Sequence, residues 1–210
     1  MKYYKIKLKE LVNRFLLIAF MILFFYPVSK CQEKKFYYDV LHNGSRIGQI
    51  LLIETIKNNQ KFYTLKSEVK TRYIFSYQSY SVENAAFENG IMMHSFFYQK
   101  QNGKETINEV WANGNYFKLI SDGNIDSEYS TPVRFNTLQL YTNSPGKSVK
   151  VYSTHYQKFL NFVKVSESRY RLELPDNKFN NFNYKNGICS SVDIERSFFT
   201  IHFILKKTEE

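Results

Sequence analysis

Short stretches of alternating apolar and polar residues recur along most of the chain, and turn dipeptides separate them. Between Lys61 and Lys70, Tyr63, Leu65 and Val69 fall on one side, while Thr64, Lys66, Glu68 and Lys70 fall on the other. That period of two is what a half-buried strand requires. Tyr73, Phe75 and Tyr77 share one face of the next predicted strand, and Met92, His94, Phe96 and Tyr98 share a face of the one after. Strands are also predicted over residues 36–41, 47–56, 106–112, 116–121, 148–154, 159–166, 170–174, 179–184, 190–195 and 198–205. Of the eight glycines, five follow Asn, in Asn43-Gly44, Asn89-Gly90, Asn102-Gly103, Asn113-Gly114 and Asn186-Gly187, and Asp122-Gly123 adds a sixth turn signal. These dipeptides supply the positive φ angles of tight hairpins. From Gly90 to Gly123 they recur at intervals of 13, 11 and 9 residues, the spacing of a meander, sandwich or barrel. One segment departs from this pattern. Ser130-Thr131-Pro132 offers an N-cap followed by proline, and Phe135, Leu138 and Tyr141 follow at helical spacing, so a short helix is predicted near 132–142. Strand-like alternation fits the same segment almost as well.

The 210 residues suffice for one domain, and no Gly-, Ser- or Pro-rich linker divides them. Aromatic residues make up 18%, with 17 Tyr and 19 Phe, far more than a disordered chain carries. The expected fold is all-β: a single strongly curved antiparallel sheet or incomplete barrel of about a dozen short strands, with one short helix near 132–142.

Charge and targeting change the picture at the N-terminus. The chain carries a formal net charge of +10. Six of its 29 Lys and Arg and one of its 19 Asp and Glu fall within residues 1–31, which leaves 23 and 18, a net of +5, for the rest. Half the excess therefore belongs to a segment that reads as a targeting signal: basic residues through Arg14, an apolar run from Phe15 to Tyr26, then Pro27 and Ser29-Lys30-Cys31. The expected division is a signal peptide at 1–31, cut before Gln32, and a single all-β domain at 32–210. An uncleaved membrane anchor and a lipidated Cys31 are the alternatives, although Lys30 fits a lipobox poorly. All three send the domain across a membrane, to a periplasmic, secreted or envelope-anchored location. Export and the modest remaining charge argue against nucleic acid as a partner.

Two stretches carry a resemblance. Tyr38-Asp39-Val40-Leu41-His42-Asn43-Gly44-Ser45-Arg46-Ile47-Gly48 has a tyrosine-bearing strand, a tight turn and then Ile-Gly. Phe182-Asn183-Tyr184-Lys185-Asn186-Gly187-Ile188-Cys189 supplies a second hallmark. Together, over roughly residues 32–206, they resemble a family of uncharacterised secreted proteins of Bacteroidota, a domain of unknown function. That family is distantly similar to periplasmic carriers of the lipoprotein-chaperone type. The resemblance implies an envelope location and a curved sheet closed by a short helix, and it brings no catalytic residues. Gly48 within the first hallmark also has a structural explanation, a bulge or a close approach by a neighbouring strand.

Catalytic and metal chemistry leave little trace. No two of His42, His94, His155 and His202 stand at metal-ligand spacing, and neither Cys-x-x-Cys nor His-Glu-x-x-His occurs. Asp122, Asn124 and Asp126 alternate as in a calcium loop, but position 133, where the closing Glu belongs, is Val. Glu105 and Glu109 share a strand face, as alternate exposed residues commonly do. Cys189 reads as a small buried hydrophobe rather than a nucleophile. No enzymatic activity and no cofactor is expected. The aromatic rows point instead to a non-enzymatic binder or carrier of a hydrophobic ligand such as a lipid, with Tyr73, Phe75, Tyr77, Phe96, Tyr98 and Trp111 lining the concave side of the sheet. The alternative is a protein-interaction or envelope-assembly module with a solid core.

Overall fold

In the computed structural model, residues 31–71, 76–114, 116–196 and 199–210 are described. Asn43 and Gly44 have φ of 49° and 76°, and Asn89-Gly90, Asn102-Gly103, Asp122-Gly123 and Asn186-Gly187 repeat the pair of positive values. Each of these dipeptides joins two antiparallel strands, as the sequence predicts. The strands are β1 (Cys31–His42), β2 (Ser45–Lys57), β3 (Gln60–Thr71), β4 (Tyr77–Glu88), β5 (Ile91–Gln101), β6 (Lys104–Asn113) and β7 (Tyr116–Ser121). They continue with β8 (Asn124–Tyr129), β9 (Val149–Ser153), β10 (Lys158–Lys164), β11 (Arg169–Glu173), β12 (Phe179–Lys185), β13 (Ile188–Arg196) and β14 (Phe199–Glu209). The count of fourteen exceeds the expected dozen, while the class, one large curved antiparallel sheet with almost no helix, is as expected.

The strand order is β8-β7-β6-β5-β4-β3-β2-β1-β14-β13-β12-β11-β10-β9. Each ladder but one joins strands adjacent in sequence; the exception pairs β1 with β14, for instance Val40 with Phe203. Bulges in β1, β4–β5, β7–β8 and β12–β13 add the local twist that lets so long a sheet curl. The end strands β8 and β9 are not hydrogen-bonded neighbours, so the sheet does not close into a barrel. Aromatic side chains bring them together instead. Tyr129 of β8 stacks between Phe117 and Tyr152 of β9, with ring centroids 5.2 and 5.7 Å away, and Phe159 meets Tyr152 edge-on. The connecting segment fills the seam, with Met92 N donating to Val133 O and Tyr152 N to Phe135 O.

The core has two parts. One gathers inward side chains of β1–β8, among them Phe36, Tyr38, Leu52, Tyr63 and Met92. The other gathers those of β9–β13, where Phe162 and Tyr170 stack at 5.0 Å and Phe182 and Tyr184 pack edge-on around them. The only helix between β8 and β9 links the two parts, because Leu138 belongs to the first and Leu140 to the second. It is a 3-10 helix, Thr137–Tyr141, shorter and later than the predicted 132–142. Its cap is Asn136, whose side chain accepts from Leu138 N and Gln139 N while Gln139 Oε1 accepts from Asn136 N. This capping box outcompetes the Ser-Thr-Pro signal five residues upstream. Tyr184 Oη donates to Leu140 O at 2.7 Å, and the Tyr38 ring packs edge-on against Tyr141 at 5.6 Å while its hydroxyl donates to Cys189 O at 2.8 Å, so strands from both parts hold the helix.

Gly48 earns its place in the first hallmark by close approach. A Cβ there would lie 2.2 Å from Glu68 O and 2.9 Å from Val69 Cα of β3. Gly48→Ala should therefore push β2 and β3 apart and lower stability by about 1–3 kcal/mol in urea unfolding. An unchanged midpoint would show that the two strands separate without cost.

Candidate functional site

Cross-strand register decides which side chains face the interior. Leu65, Glu83, Phe97, Asn108 and Ser121 form one continuous inward row across β3–β7. Ser67, Ser81, Gln99 and Thr106 form the next. Short polar residues thus line part of an interior that aromatics fill elsewhere.

Glu83 is the charged centre of this patch. It is half-buried on the inner face, between Leu65 and Phe97. Burial pushes its carboxyl up to about 7, opposed by the Thr154 and Thr137 hydroxyls. The Thr137 hydroxyl donates to Glu83 Oε1 at 3.3 Å, which ties the carboxyl to the 3-10 helix. Tyr141, on the same helix, is half-buried and packs against both parts of the core. Its phenol is raised far above the usual range, first by burial, then by the Cys189 and Glu83 charges.

The turn between β9 and β10 supplies the opposite wall. Thr154 is fully buried and donates to Ser95 Oγ at 3.1 Å. Asn108 Nδ2 donates to the carbonyls of Thr154 and His155 at 3.3 and 2.7 Å, and Ser121 donates to Asn108 Oδ1 at 3.3 Å. His155 packs edge-on against Phe97 at 4.5 Å, and burial lowers its pKa, so the ring is neutral at pH 7. Its Nδ1 is buried with no hydrogen-bond partner among the described residues. A second buried carboxylate, Glu54, accepts from Tyr63 Oη at 2.8 Å. The arrangement can bind a polar group by hydrogen bonds and exchange a proton near neutral pH. Among the described residues no cluster of three metal-ligating side chains occurs.

The sequence-predicted aromatics do not share one lining. Tyr73 and Phe75 lie outside the described residues. Tyr77 points inward, packed on the first core part. Phe96, Tyr98 and Trp111 are on the outer face, and Trp111 is 46% exposed. The cause is a bulge at Met93: Phe87 pairs with Met92, but Ala86 pairs with His94. Met92 therefore faces inward while His94, Phe96 and Tyr98 face outward, and Phe97 takes the interior position. His94 stacks on Trp111 at 3.9 Å and binds Glu109 at 2.9 Å. Glu105 pairs separately with Lys100 at 2.8 Å, so the two outer acids form no joint site. Asp122 Oδ1 accepts from Ile107 N at 2.9 Å and ties the turn after β7 to β6. Cys189 is buried, its thiol pushed far up by desolvation. Sequence reasoning passed over Glu83, Thr137, Thr154 and Asn108. The available signal was β4 itself, where Ser79, Ser81, Glu83, Ala85 and Phe87 alternate on the face that ends in a buried phenylalanine.

The geometry defines a class: a barrel-like, open antiparallel sheet around an interior that is largely aromatic with one polar patch. Residues 38–206 match the family described as Domain of unknown function (DUF6134), and the chain belongs to that family. The chain is similar in fold to a β-barrel-like protein of the domain of unknown function DUF1849 from Brucella abortus, with a TM-score of 0.55, 9% identity, and coverage of 87% of this chain and 99% of that one. A DUF1089 family protein from Pseudomonas aeruginosa matches at a TM-score of 0.35 and 10% identity, covering 82% of this chain and 92% of that one. No curated protein matches the chain.

Proposed function

We propose that this domain is a non-enzymatic binding protein of the cell envelope, and that it holds an amphipathic small molecule, such as a lipid, in a recess at the polar patch around Glu83. The observation that carries this reading is Glu83 itself, a half-buried carboxyl on the inner face of the sheet, beside the short side chains Ser67 and Ser81. The ligand's polar group bonds to Glu83 and the neighbouring hydroxyls. Its apolar part packs on Phe97, Tyr77 and Tyr141, where burial contributes roughly 0.8 kcal/mol per methylene. Mass spectrometry of organic extracts from protein purified out of its native envelope should find a lipid. Ser81→Phe, which fills the recess, should abolish displacement of an environment-sensitive fluorophore. Absence of both bound lipid and displacement would overturn the carrier reading. It would favour an interaction module, to which the solid packing of Phe162, Tyr170, Phe182 and Tyr184 already lends support.

A further inference from the structure

One rim of the sheet gathers the start of β1 at Cys31 and the turns after β2, β4 and β6, because Cys31 pairs with Lys57, Gln60 with Glu88 and Asn113 with Tyr116. Four large apolar side chains stand on the outer face within a few residues of this rim: Phe62, Met93, Trp111 and Tyr116, exposed by 38, 40, 46 and 56%. Register links two of them, Phe62 and Trp111, since Phe62, Ala86, His94, Trp111 and Lys118 are consecutive cross-strand partners. The bulge at Met93 is what turns that side chain out beside them. His94 clamps the Trp111 ring from one side, so presenting it costs little side-chain entropy. Lys57, Lys61 and Arg134 are exposed near the same edge, Arg134 through the Met92–Val133 hydrogen bond.

The chain preceding Cys31 adds the second observation. It holds twelve consecutive residues, Phe15–Tyr26, that carry no charge and are almost wholly apolar, flanked by Lys and Arg. That run ends five residues before Cys31, which enters the sheet at this rim and not at the opposite one.

We infer that this rim is a membrane-facing surface, with Trp111, Tyr116, Phe62 and Met93 resting in the headgroup layer of an anionic bilayer. Trp and Tyr favour that layer because their rings are apolar and their polar tips stay wet. The three basic residues match the charge of anionic headgroups. In the uncleaved, anchored form of the chain, the short covalent distance from the apolar run also brings the rim to the bilayer.

Trp111 is the chain's single tryptophan, so it reports on the rim without labelling. The full chain is reconstituted in vesicles of phosphatidylethanolamine and phosphatidylglycerol, with quenchers placed at shallow or deep positions. Trp111 emission should shift to the blue and be lost to the shallow quencher. A companion variant, Trp111→Phe with Tyr80→Trp, moves the reporter to the opposite end of the outer face, and its emission should not respond. Replacing Phe62 and Tyr116 by Lys should reduce the Trp111 response. Trp111 emission that ignores both quenchers overturns the inference. So does equal quenching of both reporters, or a blue shift that appears without vesicles and grows with protein concentration, which would assign the surface to a second copy of the chain.

Discussion

Truncating Phe162 to alanine should remove about 3–5 kcal/mol of stability, the cost of deleting a fully buried phenyl ring and leaving a cavity. Phe162 lies at the centre of the second core part, stacked on Tyr170 with ring planes 8° apart and edge-on to Phe182 and Tyr184. Its neighbours are rings from other strands, and hydrogen-bonded ladders prevent them from collapsing into the gap. Guanidinium unfolding followed by tyrosine fluorescence measures the loss. Phe96→Ala, on the outer face, serves as the comparison and should cost much less. Equal losses for the two variants would contradict the assignment of inner and outer faces.

Glu83→Gln should change how stability responds to pH. The folded state holds the Glu83 proton more tightly than the unfolded chain, with a carboxyl at about 7 against an ordinary 4.5. The native protein is therefore most stable below pH 4.5, as far as this group is concerned, and loses that contribution as the pH rises to 7. A shift of this size corresponds to roughly 3 kcal/mol at about 1.36 kcal/mol per unit. The Gln variant lacks this dependence. It should match the native protein near pH 4 and exceed it at pH 8. Parallel curves at both pH values would mean that the Glu83 carboxylate is as well solvated folded as unfolded.

Local features of the fold were legible because local chemistry determines them. Asn43-Gly44 and its counterparts adopt positive φ whatever the strands do later, so the hairpins and the all-β class could be read directly. The outward turn of Phe96 and Tyr98 could not. It depends on where β5 gains its extra residue relative to β4, a property of the pair and not of either strand. The helix was misplaced for a related reason. Pro132 and Asn136 both offer a start, and tertiary packing of Leu138 and Leu140 selects the second. Glu83 was overlooked because a glutamate flanked by Val82 and Asn84 reads as solvated. The alternation of β4 toward Phe87 hints at its inward face, and the opposing Leu65 and Phe97 place it inside.

The single ladder between distant strands has a consequence for how the protein is made. Strands β2 to β8 pair only with sequence neighbours, so each hairpin can form as it emerges during synthesis. β1 is the exception, because its second partner is β14, at Phe199–Glu209. From the moment β2 has docked until the last strand arrives, one side of β1 presents unpaired backbone groups, the template on which chains join edge to edge. Lys34 and Lys35 on that strand place charge along the waiting edge. The hazard to this chain is thus one of timing. It peaks late in synthesis, when most of the sheet is complete and its seam is still open, and agents that hold nascent chains apart should matter most in that interval.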